Sequence, residues 1–278
     1  MDTDILNKKV ISIKKRYDTD GHSPYLVLTD DYEQYVLKTM NSQQDRISLI
    51  KEFICSALLS MWGIKKPTSV SLSIDSTIKE DPFFIDDRRF QLSSIYFGSE
   101  YIKNALDATN FFHLKRKPSL RQINNINTIF LIALFDIWVE NDDRKPSNNN
   151  ILLTPEKDKW NIIPIDHAYT FATLDFNYLN PDFLSFSDND SILYANFARN
   201  ILLNTNINTS WTASMEEKFY FCIDNFKQNA SQLRKSIPQE LHFNEQEQKK
   251  LEQFLLDKNR NQKVFECFVR IIMSIKKR

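Results

Sequence analysis

The first hundred residues show short stretches of β-branched and aromatic residues separated by polar turns, a pattern that is typical of β-strands. The stretches predict five strands, at residues 9–17, 24–30, 34–39, 68–74 and 88–98. Between the third and fourth of them, apolar residues recur at helical spacing from Ser42 to Trp62. We therefore expect one helix among the strands, and Gly63 is suited to its C-terminal cap.

The pattern changes after residue 100, where helical stretches replace the strands. A long helix is predicted from Ser119, a suitable N-cap, to Val139. Because the later part of this helix is apolar on nearly every face, we expect it in the centre of a core. Two short extended runs around the turn-forming sequence TPEKDK, within residues 151–165, predict a hairpin, and the pattern from residue 189 onward is helical.

Together these elements predict an α+β protein with two lobes. Residues 1–98 would form a small β-rich lobe with one helix, and residues 99–278 a larger helical lobe. The chain is long enough to bury a sizeable core. Its 36 basic and 36 acidic side chains balance, so the charge indicates neither a nucleic-acid-binding protein nor one that binds membrane surfaces. No apolar run reaches the ~18 residues of a membrane span.

Cysteine and glycine usage narrows the protein classes further. Cys55, Cys222 and Cys267 are far apart and each lies in an apolar helical pattern, which indicates buried thiols without disulfides in a reducing cytoplasm. The N-terminal sequence MDTDILNKKV lacks the apolar core of a signal peptide. Only three glycines are present, and their positions exclude a Gly-rich phosphate loop of the GxGxxG or Walker A type.

The sequence VENDDRKPSNNNILL, residues 139–153, places acids and amides directly after an apolar helix. Phosphoryl transfer requires a carboxylate that orients the incoming hydroxyl, oxygen ligands for Mg²⁺, and a Lys–Glu pair at the phosphates. Asp143 and Asn148 lie five residues apart, as the catalytic Asp and the metal-binding Asn of protein kinases do. Asp166 follows the predicted hairpin, where a second metal-binding Asp would lie.

Two upstream residues complete the order expected of a two-lobed kinase. Lys38 ends the third predicted strand, and Glu52 lies on the helix that follows. Each candidate alone has a commoner structural explanation, because an Asn- and Asp-rich loop is usually a solvated turn and a lysine at a strand end is usually exposed. The ordered set of five residue types favours a kinase-like phosphate site.

The stretches FDIWVENDDRKPSNNNILL and WNIIPIDHAYTF resemble the HipA-like kinases, and the N-terminal stretches GHSPYLVLTDDYEQYVLK and LIKEFICSALLSMWGIKKPTSV are similar to the small lobe of that family. The resemblance covers residues 8–200. It implies a two-lobed protein-kinase-like fold and an ATP- and Mg²⁺-dependent serine/threonine protein kinase with a protein substrate. Members of the family are usually bacterial, and some act as the toxin of a toxin–antitoxin pair.

The resemblance also implies which residues carry the reaction. Asp143 would be the catalytic base, and Arg144 would steady it. Asn148 and Asp166 would hold Mg²⁺. The segment of residues 170–191, which is rich in Ser and Asn and has no strong period, is expected to face the substrate.

The same resemblance places ATP on the small lobe. Lys38 would contact the α- and β-phosphates, with Glu52 as its ion-pair partner. Adenine would meet the backbone near residues 97–99. A phosphate loop would be formed by Gly21, His22 and Ser23.

Departures from ordinary protein kinases leave alternatives open. Arginine follows the catalytic Asp instead of preceding it, Asp-His-Ala replaces Asp-Phe-Gly, and Ala-Pro-Glu is absent. The arginine order also occurs in phosphoinositide kinases, so a lipid or small-molecule kinase is an alternative, as is a pseudokinase that only binds nucleotide. The chain is expected to begin near the first strand of the kinase lobe, without the extra N-terminal domain of full-length HipA toxins. Whether the protein has an antitoxin partner is therefore an open question.

Overall fold

The structure, a computed structural model, describes residues 5–18, 23–40, 45–111 and 120–277. The chain forms two compact units, and each of them draws on more than one stretch of sequence. The first unit comprises Met1–Ala57, Pro67–Lys103 and Ser231–Asn244. The second comprises Leu58–Lys66, Asn104–Ala230 and Glu245–Arg278.

Five strands of the first unit close into a barrel in the order β1–β2–β3–β5–β4. Strand β1 pairs antiparallel with β2 and parallel with β4, and the other neighbours are antiparallel. Alternate side chains point inward, so Val27, Leu37 and Leu72 are fully buried. The strands are β1 (Asn7–Arg16), β2 (Tyr25–Thr29), β3 (Gln34–Lys38), β4 (Ser69–Ile74) and β5 (Tyr96–Glu100).

The prediction of one strand over residues 88–98 is wrong for the first part of that range. Arg88–Gln91 forms a 3₁₀ turn, and the strand begins only at Tyr96. The Asp87 carboxylate accepts a hydrogen bond from the backbone N–H of Arg89 and so caps this turn. The acidic stretch before it also contains a short helix, α2 (Pro82–Asp86).

Gly98 lies in the middle of β5, where the barrel leaves no room for a side chain. A Cβ atom at this position would lie 2.7 Å from side-chain atoms of Leu72 and 2.8 Å from Cγ2 of Val70. Both neighbours are buried barrel residues on the adjacent strand β4, so they have little space to move away. Glycine is therefore required here by the close packing of two strands.

The predicted helix of the first hundred residues is present as α1 (Arg46–Met61). Its predicted start at Ser42 lies outside the described residues. Gly63 has a φ of 67°, and its N–H donates to the carbonyl of Ser60 at 3.1 Å, while the N–H of Ile64 donates to Leu59 at 2.9 Å. These bonds satisfy the last carbonyls of the helix, which confirms the predicted glycine cap.

The second unit is mainly helical, with one small sheet. The sheet has the order β6–β7–β8, and its strands are β6 (Leu106–Asp107), β7 (Ile151–Glu156) and β8 (Lys159–Pro164). Strands β7 and β8 form the predicted hairpin. The helices are α3 (Ala108–Phe111), α4 (Thr128–Trp138), α5 (Asn196–Asn204), α6 (Thr209–Asn229), α7 (Glu245–Leu256) and α8 (Lys258–Lys276).

Helix α4 is shorter than the helix predicted from Ser119 to Val139. Ser119 lies outside the described residues, Leu120–Gln122 forms a 3₁₀ turn, and α4 begins at Thr128. The sequence INNIN before it contains three asparagines, which are poor helix residues, and the φ of Asn125 is 42°, outside the range of a right-handed helix. Nine of the eleven α4 residues are buried, which confirms its predicted position in the core.

Two expectations for the whole chain can be compared with the structure. All three cysteines are buried and none forms a disulfide, as the sequence predicted. Within the described residues, no helix combines the length and the apolarity that crossing a membrane requires.

Candidate active site

Lys38 and Glu52 form a buried ion pair in the first unit. Lys38 is the last residue of β3, and its Nζ lies 2.5 Å from Oε1 of Glu52 on α1. The two side chains are only 10% and 3% exposed. A lysine at a strand end is usually solvated, so its burial beside a glutamate indicates a site that fixes the position of the ammonium group. Such a pair is weak evidence of stability, because desolvation of both charges offsets their attraction.

The nearby backbone of β5 is the region expected to meet adenine. Phe97 lies opposite Lys38, and Gly98 lies opposite Leu37, in the antiparallel register of β3 and β5. The ring of Phe97 packs edge-on against that of Phe53 on α1, with centroids 5.0 Å apart. The structure therefore brings the proposed adenine-binding backbone and the Lys38 end of β3 side by side within this unit.

The proposed phosphate loop is described only at its last residue. Gly21 and His22 lie outside the described residues. Ser23 is nearly buried, has a φ of 39°, and its carbonyl accepts a hydrogen bond from Arg89 at 3.4 Å. Arg89 is in turn held by Asp87, with its Nε 2.9 Å from both carboxylate oxygens. Burial favours protonation of Asp87, but hydrogen bonds led by Arg89 outweigh it and hold the pKa of Asp87 at about 2.

In the second unit, residues 139–150 follow α4 and are called the Asp143 loop below. Asn141 turns the chain at the beginning of this loop. Its Oδ1 accepts hydrogen bonds from the backbone N–H groups of Asp143 at 3.1 Å and Arg144 at 3.4 Å. Its amide nitrogen donates to Asp136 on α4 at 3.1 Å. An asparagine that bonds to backbone groups two and three residues on replaces the missing helical partners.

The Asp143 carboxylate is oriented by two asparagine amides. Asn148 donates from Nδ2 to Oδ1 at 2.8 Å, and Asn150 donates from Nδ2 to Oδ2 at 2.7 Å. Lys145 and Asn148 exchange two backbone hydrogen bonds of 3.0 Å, and this tight turn brings Asn148 back to Asp143. The five-residue spacing thus places the side-chain amide of Asn148 against the Asp143 carboxylate. Asn150, which the sequence interpretation did not include among the site residues, shares the task of holding Asp143.

Arg144 is buried beneath the loop and does not point at Asp143. Its guanidinium pairs with the carboxylate of Asp136 and donates to the carbonyl of Ile165 at 2.7 Å. Its side chain is fully buried. Among the described residues, no hydrogen bond joins Arg144 to Asp143. The arginine therefore ties the loop to α4 and to the end of β8, and its charge is already balanced by Asp136.

Asp136 is a residue of the site that the sequence interpretation did not include. It is the one acid in the apolar helix sequence FLIALFDIW, and an acid on a buried helix must have a partner. This single acidic residue in an apolar helix was the signal that could have identified Asp136 from the sequence. Burial raises the pKa of Asp136 to about 6, and the nearby charge of Arg144 opposes this rise.

His167 is buried behind Arg144 and has a structural role. Its Nε2 lies 3.0 Å from a guanidinium nitrogen of Arg144. Because a guanidinium can only donate, Nε2 is the acceptor in this bond.

Asn148 and Asp166 offer oxygen ligands of the kind that Mg²⁺ prefers. The bond from Asn148 to Asp143 uses the amide nitrogen, so Oδ1 of Asn148 remains for a cation. Asp166 directly follows Ile165, whose N–H donates to the carbonyl of Asn150 at 2.9 Å. Within the described residues, no group of three or more His, Cys, Asp or Glu suits a metal ion. Mg²⁺ commonly takes one or two protein ligands and completes its shell with phosphates and water, so an asparagine and an aspartate are residue types that suit it.

Comparison with known proteins supports this interpretation of the fold and of the family. The sequence profile of the HipA-like kinase family matches residues 10–267, which confirms the resemblance inferred from the sequence. The crystal structure of the Helicobacter pylori proinflammatory kinase CtkA is similar, with a TM-score of 0.54, 13% identity, and coverage of 97% of this chain and 99% of that one. This likeness confirms a two-lobed kinase-like α+β fold.

Two structures of the Golgi casein kinase are more distantly similar. The one with Mn and ADP bound has a TM-score of 0.43 and 10% identity, and covers 98% of this chain and 74% of its own. The other has a TM-score of 0.44 and 11% identity, with the same coverage. A search of the curated proteins gave no match.

Proposed function

Because this chain belongs to the HipA-like kinase family, and is thus a kinase, we propose that it transfers the γ-phosphoryl group of ATP to a serine or threonine hydroxyl of a protein, with Mg²⁺ as the metal. The observation that carries the proposal is the Asp143 carboxylate, whose two oxygens are each held by an asparagine amide. A carboxylate fixed in this way can present its remaining lone pairs to one incoming hydroxyl.

Asp143 is proposed to orient the acceptor hydroxyl and to receive its proton as the new O–P bond forms and the bond from the γ-phosphorus to the β–γ bridging oxygen breaks, which releases ADP. The amides of Asn148 and Asn150 prevent rotation of the carboxylate. Arg144 contributes by tying the loop to α4 through Asp136. This role replaces direct stabilisation of Asp143 or of the γ-phosphate, because the charge of Arg144 is already paired and buried.

Asn148 and Asp166 are proposed to hold the metal, and Lys38 to contact the phosphates of ATP. When bound, Mg²⁺ offsets the negative charge of the phosphates and lets them approach the carboxylates. Glu52 keeps the ammonium group of Lys38 in one position through their 2.5 Å ion pair. The phosphate loop is proposed at residues 21–23, and adenine at the backbone of residues 97–99.

A protein acceptor is favoured by the segment that follows Asp166. The side chains of Tyr178 and Phe183 in this segment are 73% and 69% exposed. Aromatic side chains are enriched at protein–protein interfaces, and these two would be available to a protein acceptor. The three buried thiols without disulfides support a reducing compartment, and we propose the cytoplasm.

The proposal is tested by separating chemistry from nucleotide binding. Purified protein is incubated with γ-labelled ATP and Mg²⁺, and label is measured on the protein itself, on a protein extract and on lipid. Asp143→Ala should bind Mg·ATP as the wild type does while transfer falls at least ~10²-fold, the scale of a lost general base. Asp166→Asn should lose both transfer and metal-dependent binding. Asp158→Asn, at the exposed turn of the β7–β8 hairpin, is the control and should change neither.

The alternatives give different outcomes in the same assay. Label that appears only on lipid would identify a lipid kinase. Tight ATP binding by the wild type without transfer to any acceptor would identify a pseudokinase. Full transfer by Asp143→Ala would contradict the role given to that carboxylate.

A further inference from the structure

Glu140 has an unusual conformation at the beginning of the Asp143 loop. Its φ is 47°, in the left-handed region that a residue with a Cβ rarely adopts, and it is 3% exposed. Backbone strain of this kind persists only where the surrounding contacts enforce it, and it concentrates at functional sites. The contacts that enforce it here lie on both the side chain and the main chain of Glu140.

The carboxylate of Glu140 is held from two sides. Oε1 accepts a hydrogen bond of 2.9 Å from Arg260 on α8, and Oε2 accepts one from the hydroxyl of Ser185. Arg260 is fully buried, donates to the carbonyl of Trp138 at 2.7 Å, and lies 3.6 Å from the ring centroid of Phe254. The arginine is therefore fixed, and it fixes the glutamate in turn.

The main chain around Glu140 is bonded to the segment that begins at Asp166. The carbonyl of Val139 accepts from the N–H of Phe171 at 2.6 Å, and the carbonyl of Glu140 accepts from Ala172 at 3.1 Å. Two residues further on, the N–H of Asp142 donates to the carbonyl of Tyr169 at 3.1 Å. Residues 139–142 and 169–172 are thus joined by three backbone bonds immediately before Asp143 and after Asp166.

Ser185 is itself a fixed donor, because α8 holds the chain on both sides of it. Lys263 donates from Nζ to the carbonyl of Asp182 at 2.9 Å. Arg270 binds both carboxylate oxygens of Asp188, at 2.6 and 2.7 Å. Lys263 and Arg270 lie three and ten positions after Arg260 on α8, which is helical spacing. A single face of the helix therefore holds the stretch from residue 182 to residue 188.

We propose that Glu140 is a positioning residue for phosphoryl transfer. Its carboxylate, fixed by Arg260 and Ser185, keeps the strained main chain that carries Asp143 in its reactive position. The inference rests on the proposed function of Asp143 and deepens it. A carboxylate that must meet a hydroxyl within hydrogen-bond distance loses rate steeply when its backbone shifts, whereas the proposed contact of Lys38 with the phosphates lies outside this loop.

The test must distinguish positioning from simple loss of a charge partner. Glu140→Gln leaves Arg260 buried without its carboxylate, so stability can fall for that reason alone. The double variant Glu140→Gln/Arg260→Met removes both charges and should recover the folded state. If Glu140 acts by positioning, the double variant stays at least tenfold below the wild type in kcat, with the KM for ATP within twofold. Recovery of the full kcat by the double variant would overturn the inference.

A second measurement decides the question without any need for activity. Hydrogen–deuterium exchange of the peptide that covers residues 139–145 should be at least tenfold faster in the double variant than in the wild type. Glu245→Gln, which removes an exposed pair with Lys249 on α7, is the control and should leave that peptide unchanged. Unchanged exchange in the double variant overturns the inference, whether or not transfer is detected. Absence of transfer in the wild type would count against the proposed function and not against the role of Glu140, which the exchange measurement tests by itself.

Discussion

At the scale of single residues, variants of the Lys38–Glu52 pair should change the free energy of unfolding and the affinity for ATP independently. Lys38→Met leaves the Glu52 carboxylate buried without this cation, and we expect the free energy of unfolding to fall by ~3–5 kcal/mol. The double variant Lys38→Met/Glu52→Gln should recover most of that loss, because no buried charge of the pair remains. Both variants should lose ATP affinity, because the ammonium group is absent from both. Urea unfolding and nucleotide titration measure the two quantities.

Lys8→Met is the matched control for this prediction. Lys8 lies on β1 and pairs with Asp31 at 2.5 Å, but the two side chains are 25% and 35% exposed. A solvated surface pair of this kind contributes little to stability, so the control should alter neither stability nor ATP affinity measurably. Wild-type ATP affinity in Lys38→Met/Glu52→Gln would contradict the assignment of Lys38 to the phosphates.

At the scale of elements, the turn that follows the Asp166 region is left-handed. Phe171, Ala172 and Thr173 have φ values of 58°, 49° and 59°, although none of them is glycine. A left-handed conformation costs roughly 1–2 kcal/mol per residue with a Cβ. The backbone bonds to Val139 and Glu140 offset this cost and hold the turn against the start of the Asp143 loop. The element therefore depends on contacts outside itself.

Ala172→Gly should increase the free energy of unfolding by up to ~1 kcal/mol, because glycine adopts this conformation without steric cost. The same change at Ala213, an exposed position inside α6, should decrease it by ~1 kcal/mol, because glycine is a poor helix residue. Urea unfolding of the two variants measures both effects. Equal losses in the two variants would show that the left-handed turn is not strained.

At the scale of the whole molecule, the three cysteines report on packing. Cys55, Cys222 and Cys267 lie on three different helices and are at most 1% exposed. Burial raises the pKa of Cys222 to about 11 and that of Cys267 to about 12. Because the thiolate is the reactive form, a thiol reagent at pH 8 should label no cysteine in the native protein and all three in urea. Mass spectrometry counts the labels, and one rapidly labelled native cysteine would refute this packing.

Much of the fold follows from local sequence, and the exceptions have identifiable causes. Strands β1 to β4, the β7–β8 hairpin and the buried helix α4 were predictable, because their periodicity or apolar character lies in consecutive residues. The start of α4 was predicted too early because the apolar residues of INNIN fit a helix, whereas asparagine is a poor helix residue and Asn125 has a left-handed φ of 42°. The strand β5 was predicted too long because a capping residue, Asp87, starts a turn within an otherwise extended-looking stretch.

The sequence by itself determined the family, the α+β composition and the order of Asp143, Asn148 and Asp166, because each of these is a local pattern of residue types. Only the tertiary structure decided which partners those residues have. Arg144 pairs with Asp136, and Glu140 binds Arg260, which lies 120 positions away. The stretch 231–244 joins the first unit, where the Leu241 carbonyl accepts from Arg46, 195 positions earlier. Contacts between distant residues leave no periodic trace in the chain, because their geometry is set by the packing of whole elements.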